Sequence, residues 1–177
     1  MAKALGKDED FAFFMKRAGY WRNVYDAATG FMRCRDSKGA WRTPFDPYAL
    51  GHGAGLSNGF TEGNAFQYSW HVMQDVPGLV AAMGGREPFV KKLDALFAAP
   101  DKVVGKGCVL DITGLIGQYV HGNEPSHHVI YFYPQVGRPE KAAARIREVF
   151  DRFYLPKPDG LCGNDDCGQM SAWYVFS

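Results

Sequence analysis

PEKAAARIREVFDRF, residues 139–153, decides how this chain reads. Ala142, Ile146, Val149, Phe150 and Phe153 recur at helical spacing on one face, with charges over the remainder, which predicts an amphipathic helix. Pro139 costs nothing at its start, because a first-turn N–H has no intrahelical partner. The same punctuation recurs. Pro77 sits early in a run that ends at Gly84–Gly85, Pro88 opens 88–98 and Pro125 opens 125–132. A segment at 64–72 and a last one at 168–177 complete the helices of the second part. Upstream, Asp8 or Asp10 is expected to cap a helix running to about Ala28. Phe11, Phe14, Met15, Ala18, Trp21 and Tyr25 are near helical spacing, and Gly30 serves as a left-handed stop. Residues 31–60 have no sustained period and read as a long ordered loop with a short hairpin around DSKGAW. Phe31, Met32, Trp41, Phe45 and Tyr48 argue against disorder there. VLDITG, 109–114, reads as loop. The expected class is mainly α, helices in antiparallel pairs joined by long connections, with no repeat of fixed length.

Composition narrows the function. The 177 residues suffice for one domain with a core. Twenty Lys and Arg against nineteen Asp and Glu leave no basic stripe, which argues against nucleic acid as partner. No apolar run approaches the roughly 18 residues of a membrane span, and MAKALGKDED does not read as a signal peptide. Aromatic residues make up 15% of the chain; they build cores and also stack on sugars. Cys34, Cys108, Cys162 and Cys167 form no CxxC. They read as free thiols, with a 162–167 disulfide or a zinc site using Cys162, Cys167, His127 and His128 as the alternatives. Both ends read as cut, the last in the apolar SAWYVFS.

Three motifs put an acid, an asparagine and a glycine side by side: EGN at 62–64, GNE at 122–124 and GNDD at 163–166. Each precedes an expected helix. If helices alternate in direction, the second and third motifs, with one return helix between them, open on one rim; the first joins them if 77–84 and 88–98 count as one return. Asp and Asn before helices are ordinary N-caps, worth about 1 kcal/mol each. Caps do not need the doubled acid of GNDD, however. Asparagine and carboxylate oxygens are hard donors of the kind calcium takes. Two carboxylates on one rim can hydrolyse a glycosidic bond, and inversion needs about 6.5–9.5 Å between them to admit a water. A helix N-terminus favours an ionised base; an acid there needs burial to keep its proton.

TEGNAFQYSWHVMQDVPGLVAAMGG (61–85), LDITGLIGQYVHGNEPSHHVIYFY (110–133) and DGLCGNDDCGQMSAWYVFS (159–177) resemble the catalytic core of glycoside hydrolase family 92. YWRNVYDAATGFMRCRDSKGAW (20–41) is similar to the stretch just upstream, so the resemblance covers about residues 10–177. It implies a calcium-dependent, inverting exo-α-mannosidase acting on terminal α-linked mannose of N-glycan-type mannosides, α-1,2 foremost. The chain would then be part of an (α/α)6 barrel, with an N-terminal β-sandwich and the barrel ends absent but in contact with it, and the whole protein secreted or periplasmic. Glu62 matches the general acid. The base lies in the pair Asp165–Asp166, and Asp166 is favoured because the family tolerates Glu at the first position. Asn123 and Glu124 match calcium ligands. Asn64, Gln67 and His127 are expected to face substrate, with His128 beside the aglycone. Phe66 stands where the family commonly has Trp, and Gln74 where His is frequent. The competing reading is a non-catalytic carbohydrate-binding or structural helical segment.

Overall fold

The computed structural model describes residues 1–51, 59–102, 104 and 112–177. Helix dominates, and the only multi-residue strands among the described residues are two short antiparallel hairpins. In chain order the elements are α1 (Asp8–Ala18), β1 (Tyr25–Asp26), β2 (Phe31–Met32), α2 (Ala65–Tyr68), α3 (Val76–Ala82), α4 (Arg86–Ala98), β3 (Leu115–Ile116), β4 (Tyr119–Val120), α5 (Phe132–Gln135), α6 (Pro139–Phe153) and α7 (Gln169–Phe176).

The helix of residues 139–153 forms over the expected span as α6. It buries Ala142 and Val149, while Ile146, Phe150 and Phe153 pack against the core. α4 buries Phe89, Val90, Leu93, Leu96 and Phe97 although its N-cap, Gly85, makes no side-chain cap bond. Five such side chains at ~1.5–3 kcal/mol each outweigh any single cap, so packing fixes this helix. Trp70 lies edge-on to Phe89 at 5.3 Å, and Phe89 meets Phe132 at 5.9 Å; these rings join the segment just after α2 to α4 and α5. Asp94 accepts from Tyr133 Oη at 2.8 Å and from Lys141 Nζ at 2.8 Å, which pins α4 to α5 and α6.

Four expectations are corrected. The first helix stops at Ala18, not Ala28, and Asp8 and Asp10 lie in its first turn behind the N-cap position Lys7. A 3-10 turn (Tyr20–Asn23) and the β1–β2 hairpin follow. Asp26 organises that hairpin. Its carboxylate accepts from the Ala28 N–H and the Thr29 hydroxyl, and it is paired with Arg33 at 2.7 Å. Gly30 is left-handed (φ 72°), but it closes this hairpin rather than a helix. The segment 64–72 holds one helical turn; at its end the Ser69 hydroxyl donates to the Ala65 carbonyl at 2.6 Å and accepts the Met32 N–H at 2.9 Å. The 125–132 stretch consists of 3-10 turns at Glu124–Ser126 and Val129–Tyr131 leading into α5. Pro134 lacks the N–H that a continuous α-helix would need there.

The hairpin around DSKGAW is present as an isolated Arg35–Trp41 bridge, with Asp36 capping its turn. Residues 109–111 of VLDITG lie outside the described residues, and 112–114 are not strand. Sequence reasoning did not find the β3–β4 hairpin. Its turn holds Gly117 (φ 60°), where a Cβ would come within 2.5 Å of the Leu96 carbonyl oxygen. Exposed apolar side chains include Phe13, Phe14 and Met15 on α1 and Tyr174, Val175 and Phe176 on α7.

Candidate active site

The three acidic motifs converge, though not through helix alternation; α2 and the Glu124–Ser126 turn are too short for such counting to carry weight. Direct contacts do it. The side-chain Nδ2 of Asn123 donates to the backbone carbonyl of Glu62 at 2.7 Å, joining the first motif to the second. The second and third meet at Thr113. A Cβ on Gly122 would lie 1.9 Å from Thr113 Oγ1, and one on Gly163 would lie 2.8 Å from the same atom. Both loops therefore need glycine to close on that side chain. Gln169 and Trp173, on the helix that follows GNDD, then bond His127, at Nδ1 (3.2 Å) and at its carbonyl (3.0 Å).

Glu62 is half-buried and left-handed, with φ 52°. Among the described residues only Glu62, Asp166 (φ 48°) and Cys167 (φ 55°) hold positive φ without being glycine. Such a backbone costs of the order of 1–3 kcal/mol and persists only where its surroundings impose it. Around Glu62 they do. The Thr61 carbonyl accepts from Tyr68 Oη, the Glu62 carbonyl from Asn123, and the Gly63 carbonyl from the Gly51 N–H at 3.0 Å. The Asn64 N–H donates to Gln67 Oε1 at 2.6 Å. Four consecutive residues are thus tied by hydrogen bonds. The Glu62 carboxylate itself accepts none within the described residues.

The pair Asp165–Asp166 divides its work. Asp165 Oδ1 accepts from the Ser171 hydroxyl at 2.6 Å and from its N–H at 3.0 Å, and these bonds hold the carboxyl below the usual carboxylate range. Asp165 therefore secures the start of α7. The side chain of Asp166 is exposed, with no hydrogen bond from the described residues. Its charge, like that of Glu124, is felt by His127.

Asn64 and Gln67 are both buried. Asn64 is fully buried, and its Oδ1 caps the N–H groups of Phe66 and Gln67 in a reciprocal capping box. Its Nδ2 donates to Gln118 Oε1 at 2.7 Å, and Gln67 Nε2 donates to the Gln118 carbonyl at 2.8 Å. Their side-chain polar groups are thus bonded within the chain. His127 is likewise occupied. Nε2 faces the His121 carbonyl at 2.8 Å and must carry the proton, leaving Nδ1 to accept from Gln169. Burial pushes its pKa down, against the opposing pull of the His121 carbonyl, Glu124 and Asp166, so it acts as a neutral strut. His128 donates in the same way to the Trp70 carbonyl at 2.8 Å. Behind them His121, buried and pushed down to about 3, is a relay of fixed direction. The Tyr154 hydroxyl donates to the Met170 carbonyl, so it accepts from His121 Nε2, and His121 Nδ1 accepts from Tyr119. Sequence reasoning missed Thr113, Gln118, His121 and Tyr154; only the glycines at 117, 122 and 163 hinted at such close packing.

The donor set suits a hard cation. Asn123 spends Nδ2 on Glu62, so its Oδ1 is turned to other use, and the exposed Glu124 carboxylate accepts no hydrogen bond from the described residues. Calcium takes six to eight oxygens, so other donors would have to complete the shell. Among the described residues no three His, Cys, Asp or Glu are gathered as a metal site, and Cys34, Cys162 and Cys167 are separate thiols. Neither the zinc site nor the 162–167 disulfide is formed.

Two acids on left-handed backbone, Glu62 and Asp166, thus border one buried polar scaffold in a helical domain. The whole chain, residues 1–177, matches the glycosyl hydrolase family 92 catalytic domain. The chain belongs to that family. It is 47% identical to a family 92 α-mannosidase of Bacteroides thetaiotaomicron solved in complex with mannoimidazole, with TM-score 0.88 over 99% of this chain and 23% of that one. A family 92 inverting mannosidase of Bacteroides thetaiotaomicron is 36% identical, with TM-score 0.77 over 99% of this chain and 24% of that one. A protein of Arthroderma benhamiae described as an uncharacterized secreted glycosidase is 26% identical over all of this chain and 23% of its own length. The chain thus spans about a quarter of the relatives it matches. Among the described residues no helix is long and apolar enough to cross a membrane.

Proposed function

We propose that this chain carries the acid–base pair of a glycosidase that removes terminal α-linked mannose, with inversion, from N-glycan-type oligosaccharides, α-1,2-linked mannose foremost. Glu62 gives its proton to the glycosidic oxygen as that bond breaks. Asp166 takes a proton from the water that attacks the anomeric carbon on the opposite face. The observation that carries this reading is the shared backbone strain of Glu62 and Asp166 on loops that both close on residues 121–127. The freedom of Asp166 beside the occupied Asp165 supports it as the base. Asn123 Oδ1 and Glu124 would hold calcium. The ion, when bound, supplies a hard cation for sugar hydroxyls and favours a flattened ring. The relatives' length supports a larger parent, in which an (α/α)6 barrel and a β-sandwich cover the exposed faces of α1 and α7, and the fungal relative supports export.

The test is Glu62→Gln in the full-length enzyme carrying this segment. It keeps shape and hydrogen bonding but removes the transferable proton. Hydrolysis of alkyl α-mannosides should fall by about 10²–10⁴-fold. An aryl mannoside with an activated leaving group should lose far less. Equal loss on both substrates would rule Glu62 out as the acid.

A further inference from the structure

We propose that Gln118 is a positioning residue for Glu62: from the β3–β4 turn it sets the orientation of both amides that lock the Glu62 loop. The inference rests on Glu62 being the general acid and adds a residue some 50 positions away that touches neither substrate nor metal.

Gln118 is fully buried and every polar group it has is used. Its N–H donates to the Leu96 carbonyl at 2.8 Å, at the end of α4. Its Nε2 donates to the carbonyls of Pro100 at 2.7 Å and Lys102 at 3.1 Å. Carbonyls only accept, so the Gln118 amide has one possible orientation, and its Oε1 must face Asn64. Asn64 is then bound to present Nδ2 to Gln118 and Oδ1 to the N–H groups of Phe66 and Gln67. The backbone carbonyl of Gln118 takes Gln67 Nε2, which turns Gln67 Oε1 onto the Asn64 N–H. One residue thereby fixes both halves of the capping box two residues beyond Glu62.

Between them Gly63 leaves no slack. A Cβ there would meet the Tyr68 ring at 2.7 Å, and its carbonyl is held by Gly51. An error in the Asn64 amide therefore passes directly to the left-handed Glu62. Stability alone asks only that these buried groups be paired, or that all partners be replaced together by apolar ones. What a fully satisfied amide network adds is a single orientation.

The experiment compares kcat/KM for a methyl α-mannoside and a dinitrophenyl α-mannoside in the full-length enzyme, for wild type, Glu62→Gln and Gln118→Leu. The ratio of the two rates does not depend on how much protein is folded. In Gln118→Leu the ratio, activated over unactivated, should rise about 10–100-fold, as expected for an acid displaced by a fraction of its productive geometry, with the loss in kcat rather than KM. Asn64→Asp, which keeps the cap oxygen and removes the donor to Gln118, should shift the ratio the same way by a smaller factor. An unchanged ratio in both, beside a raised ratio in Glu62→Gln, overturns the role of Gln118 alone. An unchanged ratio in Glu62→Gln overturns the acid assignment and this proposal with it. If neither Gln118→Leu nor Asn64→Asp yields folded enzyme, the network is structural and the positioning role fails.

Discussion

Asn123 and Glu62, 61 positions apart in sequence, are joined by one hydrogen bond: Asn123 Nδ2 donates to the Glu62 backbone carbonyl at 2.7 Å. The bond leaves Asn123 Oδ1 pointing elsewhere, so the same amide can anchor the acid loop through nitrogen and serve a cation through oxygen. The proposed acid and the proposed calcium ligand are therefore mechanically coupled.

That coupling predicts a calcium signature. Chelation should abolish turnover, and calcium, not zinc, should restore it. Calcium at 100 times its dissociation constant should stabilise the protein by about 2.7 kcal/mol, read as a thermal shift. Glu124→Gln should need more calcium for the same shift while leaving the unliganded melting point nearly unchanged. Asn123→Ala should both weaken the calcium shift and lower activity at saturating calcium, because the Glu62 anchor goes with it. Turnover that survives exhaustive chelation would remove both residues from the metal assignment.

A half-buried histidine with a lowered pKa predicts an acid limb of stability. Burial lowers the pKa of His128, reinforced by His71 and His127, against the opposing Trp70 carbonyl bond. In the unfolded chain a histidine titrates near 6.5 (about). Below that pH the unfolded state binds a proton that folded His128 refuses, so stability falls as pH drops from about 6.5 towards the lowered native value. The slope is at most ~1.4 kcal/mol per pH unit for this residue. His128→Gln keeps a donor for Trp70 and should reduce proton uptake on unfolding at pH 5. Unchanged uptake would mean that His128 is already protonated in the folded protein.

How much of this was legible follows from where the information sits. Residues 139–153 announce a helix through local spacing alone, and α6 forms over that span. The first helix misread because spacing continued through Trp21 and Tyr25, while Asp26 gathers Ala28, Thr29 and Arg33 into a turn that competes successfully. Of the site, the acids were legible as types and motifs, since each motif lies within a few residues. The roles of Asn64 and Gln67 were not, because their partner Gln118 is more than 50 residues away and no local pattern names it. The same holds for Thr113, whose fit between Gly122 and Gly163 exists only in three dimensions.

Gly122 should be intolerant for a steric reason that can be relieved. Its φ is not left-handed, so alanine meets no backbone penalty; it meets the Thr113 hydroxyl 1.9 Å from the new Cβ, with the Thr113 carbonyl at 3.1 Å and the Thr113 Cβ at 3.2 Å. Gly122→Ala should cost about 1–3 kcal/mol by overpacking. Thr113→Ala removes the nearer atom, so the double variant should recover most of that loss. A double-mutant cycle measures the coupling. Additive effects would show that the two loops do not close on Thr113.

The two carboxylates of GNDD should separate cleanly. Asp165 Oδ1 accepts two bonds from Ser171, and its carbonyl accepts the N–H groups of Gly168 and Met170. Asp165→Asn keeps an oxygen for Ser171, so activity should fall less than about tenfold, the scale of one weakened hydrogen bond. Asp166 has no such internal task among the described residues, and its backbone is strained at φ 48°. Asp166→Asn removes the group that would take the proton from water, and activity should fall about 10²–10⁴-fold. An activated leaving group should not rescue it, because water attack still lacks a base. Asp166→Gly should leave the enzyme equally inactive yet raise its melting temperature, since glycine adopts this φ without strain. Strained, dispensable for folding and required for turnover is the combination that marks a catalytic residue. If Asp166→Gly lowers the melting temperature, or if Asp165→Asn proves the more damaging change, the base must be reassigned to Asp165.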